Sequence, residues 1–345
     1  MDVEEAMRRA IALAASALGR TAPNPVVGCV ILDAAGEPVG EGRHVWADVD
    51  HAEVAALRQA GERARGGTAV VTLSPCTSVG RTPACADELR AAGVARVVYA
   101  VADPTQPPSL GEQGPLAAEA ARVNEAWLLA ARERRPFVTW KYAASLDGRT
   151  SAADGTSRWI TGPAARADVH RLRAEVDAVA VGISTVLADD PHLTVRDGDA
   201  LAARQPLRVV VDSTYRVPPS ARVLDGAAPT LVATTVQPPF ASKAETVVLP
   251  RAADGHTDVR ALLDHLYERG VRHLLVEGGP KLAGTFVDER LVDRVVGYVA
   301  PVAIGSGRPL LDNAGAPTIG AAWRLRLDDV TVLDGDVRLT WRPEA

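Results

Sequence analysis

The chain has 345 residues, of which 47% are apolar and 23% are charged, and its formal net charge is −5. This length is about twice that of one compact domain and favours a two-domain protein. No apolar stretch approaches the roughly 18 residues of a membrane helix, and the acidic balance argues against a nucleic-acid partner, so small-molecule substrates are favoured.

The first residues and the cysteines indicate the compartment. Acidic residues, beginning with Asp2, open the chain where a secretion signal would carry basic ones, so we expect a cytoplasmic protein. The cysteines, Cys29, Cys76 and Cys85, are few and odd in number, so a disulfide framework is not expected in a cytoplasmic protein. Metal binding is the use that remains to be considered for them.

Helices and strands alternate along the first part of the chain. Apolar residues at helical spacing predict helices over residues 3–18, 51–63 and 83–92, and short apolar runs predict strands over 26–32, 69–73 and 96–101. Such alternation is typical of an α/β sandwich around a central sheet. A Pro- and Gly-rich stretch at 103–115 and a helix ending near residue 135 follow, so we predict two domains, 1–135 and 136–345.

A second α/β series occupies the rest of the chain. Apolar runs predict strands over residues 137–143, 178–181, 207–211, 230–233, 273–276 and 295–299. The last segment, 323–341, is typical of two antiparallel strands joined by the turn Asp334-Gly335-Asp336.

Four residues of the first half have the types and spacing of a zinc site. His51, Cys76 and Cys85 provide an imidazole and two thiolates, which fill three tetrahedral positions and leave the fourth for water whose pKa falls to about 7. Glu53, two residues after His51, is placed to carry protons as the general acid and base of zinc deaminases. Taken singly, the four residues have ordinary alternatives: a surface histidine, a solvated carboxylate and small core thiols. Cys29 is interpreted as such a buried core residue.

The second half has no dinucleotide-binding G-x-G-x-x-G motif, but it has other candidate anion sites. A short strand ends in Gly278-Gly279, and a helix is predicted to follow, so free backbone N–H groups would face an anion there. Arg173 and Arg196 are of a type that binds phosphate through a planar fork. The alternatives for these residues are a tight strand-to-helix turn and solvated surface charges.

Both halves resemble the bifunctional deaminase/reductase family of riboflavin biosynthesis. The matching runs of the first half are PNPVVGC (23–29), GEGRH (40–44), HAEVAAL (51–57) and PCTSVGRTPAC (75–85). Those of the second half are KYAASLDGR (141–149), SRWIT (157–161), TVLADDPHLTVR (185–196), residues 208–213, VEGGPKLAGTF (276–286) and residues 291–305.

The resemblance implies a cytidine-deaminase-like α/β/α sandwich followed by a dihydrofolate-reductase-like α/β domain. It implies zinc on His51, Cys76 and Cys85 with Glu53 catalytic, NADPH as the second cofactor, and a homodimer through the reductase domain. The implied substrate is a phosphoribosylated diaminopyrimidinone, which loses an amino group by hydrolysis before its ribosyl group is reduced to ribityl. The implied cofactor-binding residues are Ala143, Trp159, Thr185, Asp189, Ser213, Gly279, Pro280, Lys281, Leu282, Ala283, Gly284 and Thr285. The implied substrate-binding residues are Ser157, Arg173, Leu193, Arg196 and Glu277.

Two other interpretations are compatible with the sequence. Ser74 and the segment Thr77-Ser78-Val79 differ from the usual family pattern, so a specialised relative could carry a deaminase half that is inactive or acts on another aminopyrimidine. A nucleic-acid-editing deaminase or a structural zinc module is disfavoured, because the charge is acidic and only three ligands are found where a structural site normally has four.

Overall fold

The computed structural model describes residues 1–45, 50–78, 83–198, 200–238, 243–312 and 314–344. It folds as two compact units, Met1–Arg135 and Pro136–Ala345. Within the described ranges, no helix combines the length and the apolar character needed to cross a membrane.

The first unit is a five-stranded sheet with helices packed against it. Its helices are α1 (Val3–Ala15), α2 (Ala52–Ala60), α3 (Cys85–Ala91), α4 (Ala117–Val123) and α5 (Glu125–Glu133). Its strands are β1 (Gly28–Leu32), β2 (Pro38–Arg43), β3 (Thr68–Leu73), β4 (Arg96–Val101) and β5 (Glu112–Gln113), in the spatial order β2-β1-β3-β4-β5. Strand β1 is antiparallel to β2 and β3, whereas β3, β4 and β5 are parallel.

Two glycines let helices approach this sheet closely enough to fix the site. A Cβ atom at Gly28 would lie 2.0 Å from the carbonyl oxygen of Ala10 in α1, and one at Gly42 would lie 2.0 Å from that of Ala52 in α2. Only glycine fits such contacts, because a real Cβ is never found that close to another heavy atom. Gly42 therefore sets the first turn of α2, which follows His51, directly against β2.

The second unit is built on a nine-stranded sheet. Its helices are α6 (Pro163–Glu175), α7 (Ile183–Asp189), α8 (Val259–Glu268) and α9 (Pro280–Asp288). Its strands are β6 (Phe137–Ser145), β7 (Ala178–Gly182), β8 (Arg196–Asp197), β9 (Ala200–Leu201), β10 (Leu207–Val211), β11 (Thr230–Thr234), β12 (Glu245–Val248), β13 (His273–Val276), β14 (Arg294–Ala300), β15 (Leu325–Leu333) and β16 (Asp336–Pro343). The sheet order is β12-β11-β10-β7-β13-β6-β14-β16-β15, with β8 and β9 paired separately.

The direction of the strands places the functional end of this unit. All neighbours from β12 to β14 are parallel, and only the final hairpin of β16 and β15 is antiparallel. The two faces of the sheet carry separate apolar clusters, one including Leu262 and Phe286 and the other including Val186 and Val210. Because parallel strands end together, the loops after β6, β7, β10 and β13 gather at one edge, where open α/β sheets place their sites.

The predicted strands of both halves and the terminal hairpin are present, and the differences concern the end of one helix and short strands that were not predicted. The helix predicted over 51–63 ends at Ala60 and continues as a 3-10 turn over Gly61–Ala64, because Gly61 adopts a left-handed φ of 55°. Strand β2 was not predicted, since its sequence PVGEGR has no continuous apolar run. Strand β12 was not predicted because it has only four residues and its side chains are partly exposed.

Candidate active sites

Three elements of the first unit bring the predicted metal ligands together. His51 directly precedes α2, Cys76 follows the end of β3, and Cys85 is the first residue of α3. The ligand atoms of the three side chains all lie within 4.8 Å of one another. Residues separated by up to 34 positions in the sequence thus meet at the carboxyl end of a parallel strand.

The distances within this cluster fit a single metal ion. Nδ1 of His51 lies 3.2 Å from Sγ of Cys85 and 3.7 Å from Sγ of Cys76. The backbone N–H of Cys85 donates to Sγ of Cys76 at 3.3 Å. Two sulfurs and one imidazole nitrogen are a preferred zinc ligand set, and three protein ligands leave the fourth tetrahedral position for a reactant.

The electrostatics of the cluster favour a thiolate at Cys76 and raise the pKa of the neighbouring Glu53 carboxyl. Hydrogen bonds from Cys85 first, and also from His51, lower the pKa of Cys76 to about 4 although burial opposes the shift. Glu53, in the first turn of α2, is 4% exposed, and burial raises the pKa of its carboxyl. A buried carboxyl group with a raised pKa is suited to take up and return a proton near neutral pH.

Sequence reasoning gave no role to two further residues beside this cluster. The rings of His44 and His51 contact each other edge to face, with their centroids 5.3 Å apart. Nε2 of His44 lies 3.1 Å from the amide nitrogen of Asn24, and its Nδ1 lies 3.0 Å from the carbonyl oxygen of Asp50. The Asn24 amide donates and the Asp50 carbonyl accepts, so His44 carries its proton on Nδ1. Asn24 and His44 both lie in sequence runs that carry the family resemblance, and this resemblance is the signal by which they could have been found.

The second unit has a cavity of about 1240 Å³ at the carboxyl edge of its sheet. Fifteen of the seventeen residues predicted for cofactor and substrate line it: Ala143, Ser157, Trp159, Arg173, Thr185, Asp189, Leu193, Arg196, Ser213, Glu277, Gly279, Pro280, Lys281, Leu282 and Thr285. The structure does not bring the other two, Ala283 and Gly284, to the cavity. They lie on the opposite face of α9, where Ala283 is buried in the core and Gly284 abuts the backbone of Asp312.

A buried ion cluster lies in one wall of the cavity. The guanidinium of Arg173 binds the Glu277 carboxylate through two hydrogen bonds of 2.5 Å and 3.0 Å, and Nζ of Lys141 lies 3.6 Å from the same carboxylate. Burial alone would raise the pKa of Glu277, but the charges of Arg173 and Lys141 lower it to about 2. The guanidinium of Arg173 is therefore bound to Glu277. The sequence predicted a phosphate contact for Arg173 and did not reveal this ion pair.

Neighbouring groups complete this wall. His170, on α6 one turn before Arg173, lines the cavity and accepts the backbone N–H of Arg196 at 3.2 Å. Sequence reasoning missed His170, because a single histidine on a helix has no distinguishing pattern. Arg173 also donates to the carbonyl oxygen of Thr194 at 3.1 Å, which ties α6 to the loop that carries Leu193.

The amino end of α9 forms a candidate anion cradle in the lining of the same cavity. Gly279 precedes the helix, and its N–H donates to Oγ1 of Thr185 at 3.0 Å. A Cβ at Gly278 would lie 2.9 Å from the Leu282 side chain and 3.1 Å from the backbone nitrogen of Gly182, so a larger residue would fill the cradle. The N–H groups of the first helical turn after Pro280 and the positive helix end would make such a cradle suitable for a phosphate.

Four more of the predicted residues that line the cavity have described contacts or exposure. Oγ of Ser157 donates to Asp189 at 3.3 Å, and Oγ of Ser213 lies 3.0 Å from Oγ1 of Thr257. Trp159 is 69% exposed, and the guanidinium of Arg166 lies 4.5 Å from its ring centroid. A large exposed indole at a cavity mouth offers a flat surface for an aromatic ring of a ligand.

These features define a class of protein before any relative is considered: an α/β metal-site unit of the zinc-deaminase type, followed by an α/β unit with a large cavity that has a charged wall. Family models match both. The cytidine and deoxycytidylate deaminase zinc-binding region matches residues 1–101, and the RibD C-terminal domain matches residues 136–339.

Whole-chain comparisons agree with the family models. The riboflavin biosynthesis protein RibD of Mycobacterium tuberculosis is 42% identical over 353 residues, covering 98% of this chain and 97% of the relative. The RibD structure of Acinetobacter baumannii aligns with a TM-score of 0.88 at 36% identity, covering 99% of both chains. A Thermotoga maritima structure, titled a diaminohydroxyphosphoribosylaminopyrimidine deaminase/5-amino-6-(5-phosphoribosylamino)uracil reductase, aligns with a TM-score of 0.90 at 32% identity, covering 99% and 98% of the two chains.

The chain belongs to the RibD family of riboflavin biosynthesis proteins. It has both the deaminase and the reductase domain of that family, and the predicted fold class of each half is confirmed. The comparisons give no support to the alternative of a specialised relative that has lost or redirected its deaminase half. Of the segment that motivated it, Val79 lies outside the described residues.

Proposed function

We propose that this chain performs two successive reactions, with each carried out by one unit. The first unit removes an amino group by hydrolysis from a phosphoribosylated diaminopyrimidinone, and the second reduces the ribosyl group of the product to ribityl with NADPH. The observation that carries the proposal is the cluster of His51, Cys76 and Cys85 with the buried Glu53 in the adjacent helical turn.

In the first unit, His51, Cys76 and Cys85 would hold zinc. When bound at such a site, zinc supplies the Lewis acidity that lets water act as a nucleophile at neutral pH. The Glu53 carboxylate would take a proton from the water nucleophile and return it to the departing nitrogen, for which its raised pKa suits it. Asn24 and His44 lie beside the cluster, and their hydrogen bond fixes both side chains. We infer that they orient the pyrimidine ring of the substrate.

In the second unit, the cradle at Gly279 and the surrounding wall would hold NADPH, which supplies a hydride when bound. The cofactor residues are those implied above that line the cavity, and Ser157, Arg173, Leu193, Arg196 and Glu277 hold the phosphosugar. Lys141 shares the Glu277 carboxylate and so lies beside the reacting sugar. Positioning groups outnumber proton-transfer groups here, as hydride transfer between two held partners requires.

Incubation of the purified chain with the diaminopyrimidinone and NADPH tests the proposal. We expect ammonia release followed by loss of nicotinamide absorbance, with NADPH preferred over NADH in competition. Absence of ammonia release from zinc-loaded protein would refute the deaminase part, and absence of cofactor oxidation on the deaminated intermediate would refute the reductase part.

We further propose a cytoplasmic homodimer formed through the second unit. The edge strand β15 exposes the apolar side chains of Val330 (52%) and Val332 (70%), which a second copy of the same edge would cover. Sedimentation of the wild type and of Val332→Lys tests this: we expect a dimer and a monomer, respectively, and a monomeric wild type would contradict it.

A further inference from the structure

The loop after β4 is bound to the loop that carries the ligand Cys76. Ser74, Thr77, Asp103 and Gln106 are joined by a continuous series of hydrogen bonds. We call these four residues the ligand-loop clasp. The backbone N–H of Asp103 donates to Oγ of Ser74 at 2.9 Å, and both residues are buried. The clasp therefore connects the residues on both sides of Pro75-Cys76 to β4.

Gln106 connects the two sides of the clasp through both ends of its amide. Its Nε2 donates to the carboxylate of Asp103 at 2.9 Å. Its Oε1 accepts the backbone N–H of Thr77 at 3.0 Å and the Thr77 hydroxyl at 2.9 Å. The second Asp103 oxygen accepts the N–H and the hydroxyl of Thr105, at 2.7 Å and 2.6 Å, so the carboxylate that orients Gln106 is itself held.

These contacts fix one particular peptide plane. The peptide group between Cys76 and Thr77 consists of the carbonyl of Cys76 and the N–H of Thr77. The carbonyl accepts the N–H of Ala86 in α3 at 3.1 Å, and the N–H donates to Gln106. Since a planar peptide held at both ends cannot rotate, the backbone direction from which the Cys76 side chain projects is determined.

We propose that Gln106 is a positioning residue of the metal centre, which holds the Cys76 sulfur in ligand geometry through the Cys76–Thr77 peptide. This inference rests on the zinc ligands proposed above and adds a residue from outside the ligand motif. Partners that orient metal ligands typically contribute 10- to 100-fold to metal affinity. Among the described residues, the Gln106 side chain forms its hydrogen bonds with Thr77 and Asp103 rather than with the four site side chains, so its effect is transmitted through the backbone.

The experiment compares Gln106→Met with Gln113→Met in the full-length, zinc-loaded protein. Methionine keeps the length of the side chain and removes its donor and acceptor. Gln113 is a matched control, because it lies on β5 in the same unit and its side chain donates to the carbonyl of Ala100, away from the cluster. The measurements are the rate of zinc transfer to a chromogenic chelator and the melting temperatures of zinc-loaded and stripped protein.

For Gln106→Met we expect zinc release about tenfold faster or more, and a smaller difference between the melting temperatures of loaded and stripped protein. For Gln113→Met we expect the wild-type rate and the wild-type difference. Equal destabilisation of loaded and stripped Gln106→Met, with an unchanged release rate, would overturn the inference by showing a merely structural role. A wild-type chain that takes up no zinc would overturn the ligand assignment and this inference together, so the two failures are distinguishable.

Discussion

The metal cluster of the first unit and the cavity of the second unit reach their chemistry in different ways. The cluster depends on four side chains whose types are rarely combined for any other purpose, and a short backbone framework holds them. The cavity is lined by dozens of residues of ordinary type, and its charged wall is an ion cluster in which two cations, Arg173 and Lys141, share the Glu277 carboxylate. The difference shows that a site defined by ligand chemistry loses its activity when a single ligand atom is removed. In a site defined by shape and paired charge, each single substitution has a smaller effect because many residues contribute.

Removal of one metal ligand should produce the largest effect and should affect one unit only. In Cys85→Ala we expect loss of zinc and of deamination beyond the 10²- to 10⁴-fold range of a single acid-base group, since the variant loses the contribution of Glu53 as well. Reduction of the deaminated intermediate should keep its wild-type rate. Ammonia release, zinc content and NADPH oxidation measure the three quantities.

Cys29→Ala is the matched control for this variant. Cys29 is fully buried in β1, and burial raises the pKa of its thiol, so it is a core residue without a ligand role. We expect it to keep zinc and deamination. If reduction fell in step with deamination in Cys85→Ala, the contrast between two separately sensitive sites would be wrong.

Replacement of the proton carrier should give the second largest effect. In Glu53→Gln we expect deamination to fall by about 10²- to 10⁴-fold with zinc content unchanged, because the amide retains the shape but cannot exchange a proton. Initial rates of ammonia release at saturating substrate test this. Rates equal to those of the wild type would mean that Glu53 carries no proton, and zinc loss in the variant would mean that it supports the metal instead.

The ion cluster in the second unit should respond to pH through stability. The pKa of Glu277 is about 2 in the folded protein against an ordinary value of 4.5 for a glutamate, so its ionised form stabilises the fold by about 3 kcal/mol. The sign follows from the lowered pKa: the stabilisation is fully present above pH 4.5 and is lost as the pH falls toward 2. The free energy of unfolding of wild type minus that of Glu277→Gln should therefore be large at pH 7 and shrink below pH 4.5 in urea titrations.

A surface carboxylate provides the comparison for this pH dependence. Glu289 pairs with Arg260, and both side chains are about half exposed, so Glu289→Gln should change stability by less than about 1 kcal/mol at any pH. A Glu277→Gln difference that is flat with pH would show that the carboxylate is not held in its ionised form.

The same contrast explains what the sequence could and could not reveal. His51, Glu53, Cys76 and Cys85 were found because their chemistry and spacing are specific, and the apolar runs of β7, β10 and β13 predicted the buried strands directly. Strand β2 escaped because glycines selected for close helix contact replace its apolar residues. The pairing of Arg173 with Glu277, the contact of His170 with Arg196 and the burial of Ala283 in the core depend on tertiary packing between residues up to 104 positions apart, which no local pattern encodes.

The smallest predicted effect lies behind the ion cluster, where α6 is tied to the sheet. The hydroxyl of Tyr298 in β14 donates to the carboxylate of Asp168 in α6 at 2.6 Å, and Arg338 in β16 donates to the same carboxylate at 3.0 Å. Tyr298→Phe removes one bond to a charged acceptor but leaves Asp168 paired with Arg338, so the unfolding free energy should fall by about 1–3 kcal/mol. Urea denaturation at pH 7 measures it, and Tyr99→Phe, which removes a hydroxyl of the first unit, is the control expected to show little change.

The same variant should also alter substrate binding in the second unit, because α6 carries His170 and Arg173. We expect the Michaelis constant for the phosphosugar to rise in Tyr298→Phe while the rate of deamination stays constant. A change in the rate of deamination would show that a substitution in the second unit affects the site of the first unit.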